Sequence, residues 1–203
     1  MKKVIAYLLV AAIAAASASC GPGRTTPSKN IVMQSELTAE QQEILDLLSI
    51  PNNHEVLLFD FNADEAFSRV EVWVEAYEYG RLVERPAGLS TVIDIGESRS
   101  GRLAVIISQN DSTFQWTISA VESSMKASHT GTAEVPSGQR LGRAYGPMDD
   151  PADIEQGKEI IIYTSTFQDA GVPHIAYDAL TLQERPELLI EYPYAHLIKC
   201  AFS

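Results

Sequence analysis

The rhythm of hydrophobic and polar positions changes three times along the chain. Residues 4–16 (VIAYLLVAAIAAA) form an unbroken apolar run behind Met1-Lys2-Lys3. The run is too short to span a hydrocarbon core of about 30 Å, which takes about 20 residues. A cationic start, a short apolar run and then the small residues Ser17-Ala18-Ser19 have the layout of a secretory signal peptide, placed at residues 1–19. The next stretch, GPGRTTPSKN (21–30), has no large apolar side chain and therefore nothing to bury. Residues 20–36 are accordingly expected to be a flexible tether, and 37–203 a single β-rich domain.

From Leu37 the apolar spacing becomes helical. Thr38 and Gln41 stand at capping-box spacing, Ile44, Leu45 and Leu48 fall on one face, and Pro51 stops the helix. Such a helix is expected to cover one end or edge of a sheet. Beyond Pro51 the period shortens to two. Candidate strands are 55–61, 69–79, 91–95, 102–108, 113–121, 159–167, 174–180 and 195–202. In 69–79, Val70, Val72, Val74 and Ala76 point inward, and Glu71, Trp73, Glu75 and Tyr77 point outward. Gly80, Gly96, Gly101, Asn110-Asp111 and Gly171 punctuate the runs as turns. Seven or eight strands without alternating helices predict a mainly β protein, an antiparallel β-sandwich (Ig-like or related) with one short N-terminal helix. The longest irregular stretch is 136–158.

Composition narrows the partners. The formal charge is −12, and loss of Lys2 and Lys3 with the signal peptide makes the remaining chain more acidic still. That field disfavours nucleic acid and anionic headgroups, and serves the solubility of an exported protein. The only cysteines are Cys20 and Cys200, so no cysteine-based metal or redox motif is present. If Cys20 is lipidated, Cys200 is a small buried hydrophobe on the last strand. If it is not, an oxidising exterior permits a Cys20–Cys200 disulfide.

Motifs for chemistry are sparse. Asp60, Asn62 and Asp64 alternate as calcium-loop oxygens do, with Glu71 at the twelfth place. Glu65, however, stands where an EF-hand needs glycine, and a polar turn needs the same letters. Asp149, Asp150, Asp153 and Glu155 form an acidic group in the 136–158 loop, the basis for an alternative reading as a surface hydrolase. His54, His129, His174 and His196 show no metal spacing, and His196 is in phase with Ile198 and Cys200 as a core or boundary histidine. Ser98 and Ser100, beside Arg99 and Arg102, read as a polar turn. No nucleophile elbow, phosphate loop or zinc-protease motif occurs. Trp73, Tyr77 and Tyr79 are a possible binding surface, since sandwich modules present sugars or peptides on such aromatic strips.

The arrangement of signal peptide, Ser17-Ala18-Ser19-Cys20-Gly21, polar tether and one β-rich domain resembles small uncharacterised bacterial lipoproteins of the Gram-positive type. The resemblance implies a diacylglycerol on the Cys20 sulfur and a location on the extracytoplasmic face of the cell membrane. Acyl chains contribute about 0.8 kcal/mol per buried methylene, and two or more anchor stably. The expectation is a lipid-anchored binding or interaction module with a protein or glycan ligand, no required cofactor and no catalytic residues. Ordinary cleavage, leaving Cys20 a free thiol, is the alternative.

Overall fold

A computed structural model describes residues 30–47, 54–93, 99–122, 125–135, 141–171 and 175–203. In chain order the strands are β1 (Ile31–Ser35), β2 (His54–Ala63), β3 (Arg69–Glu78), β4 (Arg81–Val92), β5 (Arg99–Asn110) and β6 (Thr113–Glu122). They continue as β7 (Met125–Glu134), β8 (Leu141–Pro147), β9 (Ala152–Asp153), β10 (Ile160–Asp169) and β11 (Tyr194–Phe202). A first sheet has the order β7-β6-β5-β2-β1-β9, and a second the order β4-β3-β11-β10-β8. Every pairing within the two sheets is antiparallel, and together they form the sandwich expected from the alternation.

The two inner faces make one core. Leu57, Phe59 and Phe61 of β2, Leu103, Val105 and Ile107 of β5, and Phe114, Trp116 and Ile118 of β6 supply one side. Val70, Val72, Val74 and Ala76 of β3 with His196, Ile198, Cys200 and Phe202 of β11 supply the other. Burying each large side chain contributes about 1.5–3 kcal/mol. Cys200 is fully buried with a free thiol, and burial pushes that thiol up to about 12. Where β4 and β7 bring the sheets together, Gly131 lies against the Pro86 carbonyl so closely that a Cβ would come within 1.8 Å of its oxygen. No side chain fits there.

Helix α1 (Ala39–Leu47) is held by the anticipated capping box. The Thr38 amide donates to Gln41 Oε1 at 2.9 Å, and the Gln41 amide donates to Thr38 Oγ1 at 3.2 Å. Its Leu45 packs on Leu58, Ala104 and Ile106, a small apolar cluster on the outer face of the first sheet. A second helix, α2 (Ala179–Glu184), is capped by Asp178, whose carboxylate accepts from the Thr181 amide, and leads into a 3-10 turn at Pro186–Glu191. The register of β10 on β11 puts Ile161, Thr164 and Leu197 on the outer face of the second sheet. There they are buried, and α2 packs against β10.

Several sequence expectations change. Ile31–Ser35 is not tether but β1, paired with both β2 and β9, with Val32 fully buried. Residues 175–178 are irregular and Ala179 opens α2, so no strand occupies that part of 174–180. Thr91 and Val92 end the long strand β4, and residues 94–98, with Gly96 and Ser98, lie outside the described residues. The 136–158 stretch contains β8 and β9. Gly101 is no turn; it lies inside β5 opposite Phe61, where a Cβ would come within 2.4 Å of the ring. Among the described residues the sheets hold eleven strands, more than the seven or eight foreseen.

Candidate functional site

The outer face of β3 is where the strand pattern and the surface chemistry meet. Strand alternation turns Glu71, Trp73, Glu75 and Tyr77 away from the core. Pairing sets Lys199 of β11 on one side of Trp73 and Gly88 of β4 on the other. Glu75 nonetheless is only 1% exposed. Its carboxylate accepts from Trp73 Nε1 at 3.0 Å, the Tyr77 hydroxyl at 2.5 Å, Arg85 Nε and Nη2 at 3.0 and 2.6 Å, and Lys199 Nζ at 2.8 Å. Lys199 also reaches Glu159 at 2.9 Å, and the Arg85 guanidinium lies 5.7 Å from the centre of the Trp73 ring.

A carboxylate removed from water is normally harder to ionise. Here burial pulls Glu75 upward, but the hydrogen bonds from Lys199, Tyr77 and Trp73 outweigh it and hold the carboxyl down at about 2. Burial, with the hydrogen bond to Glu75, pushes the Tyr77 phenol up to about 12. Burial would lower the Lys199 ammonium, yet its bonds to Glu75 and Glu159 raise it overall. Glu75 and Lys199 thus stay charged and Tyr77 neutral, and the side chains are held by their mutual bonds, with Tyr77 also packed against the core.

Beside it runs an open groove of about 440 Å³, lined by Glu71, Trp73, Arg85, Gly88, Ser90 and Glu159 among others. Its volume falls in the range of about 300–1,000 Å³ typical of ligand sites. Of the three aromatics singled out in the sequence, Trp73 and Tyr77 are brought together around Glu75. Tyr79 leaves the row. It sits with Gly80 in the two-residue turn between β3 and β4, both at positive φ (46° and 75°), and its side chain is exposed.

A second constellation lies between the sheets. Arg143 of β8 donates to Glu55 at 2.7 Å, to the Tyr163 hydroxyl at 2.6 Å and, through Nε, to Ser165 Oγ at 2.7 Å. Tyr163 in turn donates to Glu55 at 2.7 Å. Ser165 pairs across the ladder with His196, which is enclosed by the rings of Phe114, Trp116, Phe167 and Tyr194 at 4.7–5.5 Å. Neither imidazole nitrogen has a hydrogen-bond partner, and burial with the nearby Arg143 charge drives the imidazole down to about 3. A serine, a histidine and a carboxylate are therefore close without forming a triad. The serine is bonded to arginine instead of imidazole, and both Ser165 and His196 are 1% exposed.

The remaining candidates fall elsewhere. Asp60 accepts two bonds from Arg102, at 2.6 and 3.1 Å, and one from Ser35 at 2.7 Å. Asp64 accepts from Asn30 Nδ2 at 2.7 Å, and the Asn62 side chain shares the outer face of the first sheet with Asp60. Glu71 accepts from Ser90 at 3.1 Å. Among the described residues, no three His, Cys, Asp or Glu side chains converge as metal ligands. Asp149, Asp150, Asp153 and Glu155 are all exposed, and Glu155 pairs with Lys158 at 2.5 Å. His54 opens β2 at the end remote from Asp153, which pairs through Ile31 with the other end. His129 is exposed, and His174 and Cys20 lie outside the described residues.

Sequence reading missed Glu75, Arg85, Lys199 and Glu159 as one unit, and Glu55, Arg143 and Tyr163 as another. The available signal was opposite charge in the outward phase of two strands, Glu75 in β3 and Lys199 in β11. Among the described residues no helix is long and apolar enough to cross a membrane. No curated protein and no solved structure matches the chain. The family model described as the YgaN domain matches residues 31–202, nearly all of the described fold, and the chain belongs to that family.

Proposed function

We propose that the protein is a binding module held at the extracytoplasmic face of the cell membrane through a lipid on Cys20, and that the groove beside Trp73 is its binding surface. One observation carries the reading of the surface. Glu75, on an outward position, is buried beneath the side chains that bond it, so Trp73, Tyr77 and Arg85 are fixed in place beside an open groove. Fixing side chains before a ligand arrives lowers the ordering cost of binding. A fold needing only stability gains little from desolvating a carboxylate on an outer sheet face.

The anchor rests on the sequence: the apolar run, Ser17-Ala18-Ser19-Cys20 and the polar stretch to Asn30. The chain enters the sandwich at Ile31, which pairs with Asn62 near the end of β2. Intact mass of the protein from membrane and soluble fractions tests the anchor. Residues 20–203 plus acyl chains in the membrane fraction, lost in Cys20→Ala, are expected. An unmodified chain in the soluble fraction would overturn it.

A further inference from the structure

We infer that the ligand of the Trp73 groove is a neutral glycan; this inference rests on the binding surface proposed above. Its floor follows from the register. On β4 the position opposite Trp73 is Gly88, and Ser90 lies diagonally; on β11 Lys199 is opposite, with Leu197 and Ala201 on the diagonals. The small residues Gly88, Ser90 and Ala201 leave room on one side of the ring while Arg85 lies 5.7 Å from its centre, and Trp73 forms part of the floor of the groove. The walls are polar and of both kinds. Glu71 and Glu159 accept, Ser90 does both, and Arg85 keeps N–H donors beyond the two it gives Glu75.

That combination matches a pyranose, which has an apolar C–H face for an aromatic ring and a rim of hydroxyls that both donate and accept. Charge separates it from other classes. Three carboxylates (Glu71, Glu75 and Glu159) meet three cations: Arg85 and Lys199, both bonded to Glu75, and Arg69, which donates to Ser90 at 3.2 Å. A polyanion would therefore find no excess of basic charge at the groove, against a chain of net charge −12. A cationic peptide would have to compete with Lys199 for Glu159 and would meet Glu71 alone as a carboxylate held only by a hydroxyl. A neutral polyhydroxylated ligand can join these bonds without displacing a charge.

Tryptophan fluorescence tests it on the purified protein. Trp116 is 1% exposed in the core, so Trp73 carries any ligand-induced change. Cellotetraose, chitotetraose and maltotetraose are titrated separately, with tetralysine as the cationic probe. The inference expects a saturable blue shift with at least one of the three sugars. Affinity, read by isothermal titration calorimetry because the variant lacks the reporter ring, should fall by about tenfold or more in Trp73→Ala, as losing an aromatic platform would give. Gly88→Leu should cause the same loss by filling the groove. Its Cβ would sit at 3.4 Å from the Trp73 Cβ, so the added side chain occupies the groove and leaves the fold in place. A saturable shift with tetralysine alone overturns the glycan and leaves the binding surface standing. Silence with all four probes overturns the glycan, and the surface is then decided by whether Trp73→Ala changes retention on isolated cell envelopes.

Discussion

The two charged clusters of this sandwich are built from the same residue types and are opposites in arrangement. Outside, an anion sits at the centre: Glu75 receives donors from four side chains at the margin of an open groove. Inside, a cation sits at the centre: Arg143 donates to Glu55, Tyr163 and Ser165 and lies 5.0 Å from the Phe114 ring. The inner cluster links β8 and β10 of one sheet to β2 of the other, so it fixes how the sheets face each other. The outer one links side chains on a single sheet and shapes the surface they share. Burial alone does not tell a structural charge from a functional one; what the charge holds in place does.

The largest expected effect belongs to the inner cluster. Arg143→Ala leaves Glu55, whose side chain is 21% exposed, without its cation, so the cost should lie near the lower end of the about 3–5 kcal/mol lost when a buried pair is broken. Urea unfolding followed by circular dichroism should show the midpoint falling accordingly. A loss below about 1 kcal/mol would mean that Arg143 does not hold the sheets. Gly131→Ala should rank next, by about 1–3 kcal/mol, because its Cβ meets the Pro86 carbonyl where the sheets close.

Acid separates the two clusters by pH window. His196 has a folded value of about 3 against an ordinary 6.5, so unfolding takes up a proton and stability falls as pH drops below about 6.5, by up to about 1.4 kcal/mol per unit, until about 3. Glu75 has a folded value of about 2 against 4.5, so its contribution is complete above about 4.5 and lost as pH falls towards 2. Stability measured from pH 7 to 3 should therefore decline in two stages. His196→Phe should flatten the stage between pH 6.5 and 4.5, and Glu75→Gln should make the decline below 4.5 shallower, leaving the slope that His196 contributes down to about 3. A profile unchanged by either variant would contradict the assignments.

How much of this could be read from the sequence follows the same division. The alternation of β3, the capping box at Thr38 and the apolar runs of β5, β6, β10 and β11 announce themselves because one face must be buried. Strand β7 (MKASHTGTAE) does not, since as an edge strand it packs through small residues such as Gly131 and Ala133. Strand β4 hides behind Pro86 and five exposed residues at its start. Helix α2 is six residues long, and its Asp178–Thr181 cap is a shorter signal than the apolar letters that suggest a strand. Glu75 points outward as its phase requires. Its burial depends on Lys199, 124 positions later, and on Arg85 across the hairpin. Periodicity carries no such information.

A small effect on stability, about 1–2 kcal/mol, should come from Trp73→Ala, because the ring lies on an outer face and Glu75 keeps its three other side-chain donors. That makes it the sharpest probe of function. The decisive measurement is co-sedimentation of the purified protein and its Trp73→Ala variant with isolated cell envelopes, with thermal midpoints recorded for both. The account predicts saturable binding that weakens by about tenfold or more in the variant, while its midpoint stays within a few degrees of the parent. Equal binding by the two proteins would contradict it.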